Sequence, residues 1–182
     1  QSVGLLTNHS GRDRLGRSTI DLLNAAEGVE LKTLFSPEHG IRGIRDEAVS
    51  DSRHSATGLP IYSLYGRTRR PTEEMLEGLE TVVVDLQDVG TRFYTYATTM
   101  AYMMEVAATQ DISVVVLDRP NPITGTRVEG PSLDDSEETT GFTGYFSMPV
   151  RHGLTMGELA LLFNREKRID AQLTVIPMRG WR

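Results

Sequence analysis

Four short apolar runs in this chain each end in polar, reactive residues, and that pattern constrains the fold more than any other feature. Val3-Gly4-Leu5-Leu6 runs into Thr7-Asn8-His9, and Leu31-Lys32-Thr33-Leu34-Phe35 into Ser36-Pro37-Glu38-His39-Gly40. Thr81-Val82-Val83-Val84 ends in Asp85-Leu86-Gln87-Asp88, and Val114-Val115-Val116-Leu117 in Asp118-Arg119-Pro120-Asn121. Apolar runs without alternation suit strands buried on both faces, as in parallel sheets covered by helices. Ligands of such open sheets bind outside the carboxyl ends of the strands. Asn8, Glu38, His39, Asp85, Asp88, Asp118 and Asn121 are therefore expected along one crevice, with the strand order reversing near the first strand.

Helix signals fall between these runs. Ser18 or Thr19 can cap a helix that Gly28 stops, and Pro71 to Glu77 has early acids that suit the positive end of a helix dipole. Tyr96 to Thr109 is rich in Ala and Met and reads as a well-buried helix, while Thr155-Met156-Gly157-Glu158 has the spacing of a capping box. Ile61 to Leu64 and Leu173 to Ile176 read as further strands. Strands alternating with helices predict an α/β fold: a Rossmann-like, open, mainly parallel sheet with helices on both faces. Two stretches break the rhythm. Gly40 to Leu59 is polar, and Asn121 to Met148 is long and acidic at Asp134-Asp135-Ser136-Glu137-Glu138; both read as lids or mobile segments, the acidic run as solvated rather than metal-binding.

Composition removes several function classes. The 182 residues suffice for one domain with a real core, and a net charge of -6 argues against nucleic acid as the main partner. Cysteine is absent, which excludes disulfides, thiolate metal sites and a Cys nucleophile. No apolar run is long enough for a membrane span. No signal peptide is present, but the chain opens directly on a strand, as a mature or trimmed chain would, so this start carries little information about export. Asn8-His9-Ser10 matches a glycosylation sequon, but its place at a strand exit marks the match as accidental. GxGxxG, P-loop and GxSxG patterns are all missing, so neither a dinucleotide cofactor nor a serine nucleophile is indicated.

Glu38 is the strongest chemical candidate. It follows a strand and a proline and precedes His39-Gly40, a setting that can hold a carboxyl in a crevice as general acid. The competing reading is a carboxylate paired with a neighbouring arginine. His39 could be a base, a ligand or a hydrogen-bonded structural residue, and His9 and His152 carry the same alternatives. Asp85 or Asp88 could supply a second carboxylate, although turn stabilisation is the commoner role of such aspartates. Arg92-Phe93-Tyr94-Thr95-Tyr96 offers an arginine and two phenols at a helix entrance, where anions are attracted and sugars can stack. His9, His39 and Asp85 could converge on a metal, but no HExxH spacing supports one, and the reading assigns no metal and no cofactor.

Several segments together resemble the NamZ-type peptidoglycan exo-β-N-acetylmuramidases. They are Gly4 to Gly11, Phe35 to Gly43, Leu64-Tyr65-Gly66, Asp85 to Gly90, Arg92 to Tyr96, Asp118 to Pro122 and Val150-Arg151-His152-Gly153, in order from end to end. The resemblance implies a Rossmann-like N-terminal catalytic domain, here residues 1–182, with a smaller C-terminal domain lying outside this chain and the active site between them. It implies removal of β-1,4-linked N-acetylmuramic acid from the non-reducing ends of peptidoglycan fragments, with Glu38 catalytic, by a bacterial protein that is exported. The lactyl carboxylate of that sugar calls for a cation, for which Arg92 comes first, then Arg119 and Arg151. Asn8, His9, Asp88, Tyr94, Asp118, Asn121 and His152 complete the expected muropeptide contacts. The rivals are a non-catalytic muropeptide-binding or anion-binding module and a metal-dependent hydrolase.

Overall fold

The computed structural model describes residues 1–43, 50–134 and 140–181. Nine strands and four helices alternate through them: β1 (Ser2–Thr7), α1 (Thr19–Asn24), β2 (Glu30–Ser36), β3 (Ser52–Arg53), β4 (Pro60–Ser63), α2 (Glu73–Leu76), β5 (Thr81–Asp85), α3 (Thr95–Thr109), β6 (Ser113–Leu117), β7 (Glu129–Ser132), β8 (Pro149–Arg151), α4 (Met156–Glu166) and β9 (Leu173–Ile176). The main sheet has the order β3-β4-β2-β1-β5-β6-β9. All its pairs are parallel except β3 with β4. The chain thus builds outward from β1 in one direction, then returns to β5 on its other side. The order reverses between β1 and β5, the place where open sheets of this kind commonly take ligands.

Strand residues divide between two apolar layers by alternation. Val3, Leu5, Leu31, Leu34, Ile61 and Val83 pack with Ile20 of α1 on one face. Leu6, Phe35, Val82, Val84, Val114 and Val116 pack on the other with α2, α3 and α4. Continuous apolar runs were needed because both faces of β1 and β5 are covered. Burial is uneven, however: one short helix covers the first face, while the Met-rich α3 and α4 dominate the second. Among the described residues no helix is long and apolar enough to cross a membrane.

The caps follow the sequence signals. Ser18 accepts from the Asp21 backbone N–H at the start of α1, and Thr155 and Glu158 form a reciprocal capping box on α4. Two expectations need correction. The described part of Gly40 to Leu59 contains β3 as an edge strand, and Asn121 to Met148 contains β7, paired antiparallel with β8. These short polar strands are exposed and carry no alternating apolar residues, so the hydrophobic period could not mark them. Residues 44–49 and most of the acidic run, 135–139, lie outside the described residues.

Candidate active site

Glu38 stands on a tight turn at the exit of β2. The Gly40 N–H donates to the Pro37 carbonyl at 3.0 Å, and both His39 (φ 69°) and Gly40 (φ 73°) lie in the left-handed region. A positive φ at the third residue is the mark of a type II-like turn, for which a non-glycine residue is strained. The geometry turns Glu38 toward the start of α3. Its Oε2 accepts a 2.6 Å hydrogen bond from the Thr95 hydroxyl, and its main-chain carbonyl accepts one from the Tyr96 hydroxyl at 3.3 Å. Thr95 is the first residue of α3, so the carboxylate also faces the positive end of a long helix.

Three phenols cluster by this turn. The Tyr65 hydroxyl, just past β4, is raised above its ordinary pKa, first by its hydrogen bond to Glu38 and then by that group's charge. Tyr96 is pushed up by burial first, then by the adjoining Tyr94 hydroxyl; neighbouring Asn8 acts in the opposite direction. The Tyr94 and Tyr96 rings lie 4.4 Å apart. Tyr65 and Tyr96 therefore stay protonated and can donate at neutral pH. Among the described residues Glu38 makes no ion pair with an arginine; Arg45 lies outside them.

The aspartates at neighbouring exits are otherwise engaged. Asp85 is fully buried, and Arg119 grips both its oxygens, through Nε at 2.7 Å and Nη2 at 2.9 Å. Thr19 donates to the same carboxylate, and Arg119 Nη2 also donates to the Arg12 carbonyl, a third contact of that guanidinium. Asp88 and His152, both buried, meet at 3.2 Å. His152 Nδ1 accepts from the Leu154 N–H, which fixes the neutral tautomer with its proton on Nε2, aimed at Asp88. Asp88 Oδ2 also accepts from the Gly90 N–H, while its Oδ1 is buried without a protein partner. Asp118 accepts from the N–H groups of Arg119 and Gly157 and so caps α4. Asn121 is buried, bonded to the Leu154 carbonyl and the Ile123 and Thr124 N–H groups.

The expected cations are likewise committed. Arg92 donates to the carbonyls of Pro131 and Met148, clamping the β7–β8 pair. Arg151 pairs with Glu129 across the same two strands at 2.6 Å. Asn8 is buried, its side-chain oxygen held by the Ser10 N–H and hydroxyl. His9 is exposed and lies so close to Gly43 that a Cβ there would fall 2.0 Å from its ring. Asn8, His9 and His39 line a cavity of about 930 Å³ that opens beside the Glu38 turn, with Arg12, Asp21, Arg42, Asp51 and Arg53 on its walls. No three His, Asp or Glu side chains converge as metal ligands among the described residues, and Asp85 belongs to the Arg119 pair rather than to His9 and His39.

The carboxyl edge thus unites Glu38 with Asn8, Tyr94 and His39, while Asp85, Asp118, Asn121 and His152 form the bracing behind it. Sequence reasoning passed over Thr95, Tyr96 and Tyr65 as partners of Glu38. Each stands within a motif that carried the family resemblance, which was the available signal. In the same segment Phe93 is exposed, whereas Tyr96 is buried in the core.

The model of the family described as exo-β-N-acetylmuramidase NamZ, N-terminal, matches residues 3–182. The chain is 47% identical to the peptidoglycan β-N-acetylmuramidase NamZ of Bacillus subtilis (strain 168), over 99% of its own length and 44% of that protein's. Two crystal structures of DUF1343 family proteins from Bacteroides fragilis NCTC 9343 superpose on it. One has a TM-score of 0.91 at 45% identity, covering 100% of this chain and 46% of that one. The other has a TM-score of 0.83 at 36% identity, covering 99% of this chain and 47% of that one. The chain thus spans under half the length of each relative.

Proposed function

The chain belongs to the NamZ N-terminal family of exo-β-N-acetylmuramidases, and from that premise we propose that it is the catalytic part of a glycosidase. The full-length protein removes β-1,4-linked N-acetylmuramic acid from the non-reducing ends of peptidoglycan fragments, with Glu38 as general acid and base. The observation that supports this best is the Glu38 turn. A half-buried carboxyl is held at a strand exit by a strained residue, hydrogen-bonded by Thr95 at a helix N-terminus and flanked by phenols.

In the first step Glu38 delivers its proton to the glycosidic oxygen as the C1–O bond breaks, offsetting charge on the leaving sugar. Asp85, Asp88 and Asp118 are committed to Arg119 and Thr19, to His152 and Gly90, and to backbone N–H groups respectively. The acetamido oxygen of the substrate is then the group best placed to attack C1, forming an oxazolinium intermediate. The Glu38 carboxylate takes a proton from the water that opens it, which restores the acid.

The substrate lies outside the cytoplasmic membrane, so we place the protein there as an exported enzyme of cell-wall recycling. The deciding experiment is release of N-acetylmuramic acid from a chromogenic β-glycoside by the full-length protein, with and without chelator. Turnover indifferent to chelator is expected, and Glu38→Gln should reduce kcat on the order of a hundredfold or more with an unchanged Tm. Near-normal kcat in that variant would remove Glu38 from the mechanism. Loss of activity with chelator would favour a metal-dependent hydrolase, and muropeptide binding without turnover a recognition module.

A further inference from the structure

A site that selects N-acetylmuramic acid over N-acetylglucosamine has to recognise one added carboxylate, and the arginines at the strand exits are spoken for. Arg119 is neutralised by Asp85, Arg151 by Glu129, and Arg92 is clamped to two carbonyls. Just beyond Tyr65 a different cation is presented. Arg69 is exposed and has no acidic partner among the described residues, unlike Arg70, which pairs with Glu105. Its guanidinium lies 4.4 Å from the centre of the Phe142 ring and 5.9 Å from that of Tyr65. Those two rings are stacked 5.8 Å apart, with 22° between their planes.

A guanidinium resting on an aromatic face has its orientation restricted, yet its N–H edges remain available for bidentate capture of a carboxylate. The platform also fixes its distance from the chemistry. The Tyr65 hydroxyl feels Glu38 on one side, which raises its pKa, and Arg69 on the other, which lowers it. Glu38 and Tyr65 each lie two residues past the paired ends of β2 and β4, Ser36 and Ser63, and Arg69 sits over the Tyr65 ring, so acid, phenol and cation share these neighbouring exits. On N-acetylmuramic acid the lactyl ether leaves C3 of the same ring whose C1 bond Glu38 would serve.

We propose that Arg69, held on the Tyr65–Phe142 stack, is the residue that reads the lactyl carboxylate and sets the preference for N-acetylmuramic acid. This deepens the glycosidase reading and rests on it for the identity of the sugar. The stacked rings hold the guanidinium in place, and the guanidinium supplies the charge. Arg69 is a specificity residue and takes no part in proton transfer.

The test separates binding from turnover. Affinities of free N-acetylmuramic acid and free N-acetylglucosamine are measured by titration calorimetry on the full-length protein and its Arg69→Gln and Arg69→Lys variants. Losing a charge-assisted bidentate contact should weaken N-acetylmuramic acid binding roughly tenfold or more in Arg69→Gln, with N-acetylglucosamine unchanged. Arg69→Lys should fall between, since it keeps the charge and loses the fork. A purely structural role would weaken both sugars together. Equal affinity of wild type and Arg69→Gln for N-acetylmuramic acid, including no binding by either, overturns the proposal. A loss confined to peptide-bearing muropeptides overturns it too, by assigning the contact to a peptide carboxylate. If Arg69-dependent binding is found while the chromogenic β-glycoside is not turned over, this inference stands and the glycosidase reading fails.

Discussion

At the scale of single residues, similar aspartates and arginines separate by what each touches. Asp85 and Arg119 both stand at strand exits, as a catalytic pair would, but they are bound to each other, the carboxylate fully buried and the guanidinium largely so. Breaking such a pair leaves an uncompensated charge, which costs more than the intact pair contributes. Arg119→Ala is expected to destabilise the fold by about 3 kcal/mol or more, read as a lower urea midpoint. An effect confined to kcat, at unchanged stability, would instead return Arg119 to the reaction. His39 allows a cleaner division. Its left-handed conformation accepts glycine without strain, so in His39→Gly the relief of backbone strain offsets part of what the lost imidazole contacts and the freer unfolded chain cost. His39→Val, β-branched at the same φ, should lose about 1–2 kcal/mol. With folding preserved in His39→Gly, any fall in kcat reports the imidazole itself.

At the scale of elements, the positions of active groups depend on caps and clamps. Helix α4 starts beside the exit of β6, tied by the Thr155–Glu158 box and by Asp118 accepting from Gly157. Gly157 has no room for a side chain, since a Cβ would fall 2.5 Å from Val175 of β9. Thr155→Ala should cost about 1 kcal/mol, seen as a lower urea midpoint at constant m-value. A change in m would show that the helix end unravels well beyond its cap. These elements were largely legible in the sequence, because each rests on local chemistry: an apolar run, a cap three residues from an acid, a turn after proline. The strand exits were legible for the same reason, and with them Glu38 and Asn8. The pairings were not. That Asp85 would meet Arg119, or Asp88 His152, depends on which exits become neighbours, and nothing local to either residue encodes it. Strands β3 and β7 escaped because exposed polar strands leave no hydrophobic period, and Tyr65 because its motif names a phenol without saying what it faces.

At the scale of the whole molecule, a reversing parallel sheet gathers distant exits along one edge and leaves the helical layer behind it to bear the load. That layer is aromatic where α3 and α4 meet the loop before β8: Tyr145 packs edge-on against Phe163 and Tyr102, and its hydroxyl donates to Glu105. Burial, the largest influence, pushes the Tyr145 pKa up to about 12, with Tyr102 adding to the rise and Arg70 opposing it. Tyr96, beside Glu38, is raised in the same sense and for the same first reason. In the unfolded chain each phenol ionises near its ordinary value of 10.0. Between that pH and the folded pKa, the native state keeps a proton that the unfolded state has released. Unfolding then releases protons, and rising pH favours it. The stability due to Tyr145 is therefore complete below pH 10 and is lost as pH rises through about 12, by roughly 2 kcal/mol in all. Denaturation midpoints measured from pH 9 upward should fall along that window. Tyr145→Phe should start from a lower midpoint, having lost the bond to Glu105, but decline less steeply, because it has one fewer phenol to ionise. Parallel curves for wild type and variant would mean that Tyr145 ionises alike in both states, and would turn the search for the alkaline limit of the fold to the raised phenols Tyr65 and Tyr96 beside Glu38.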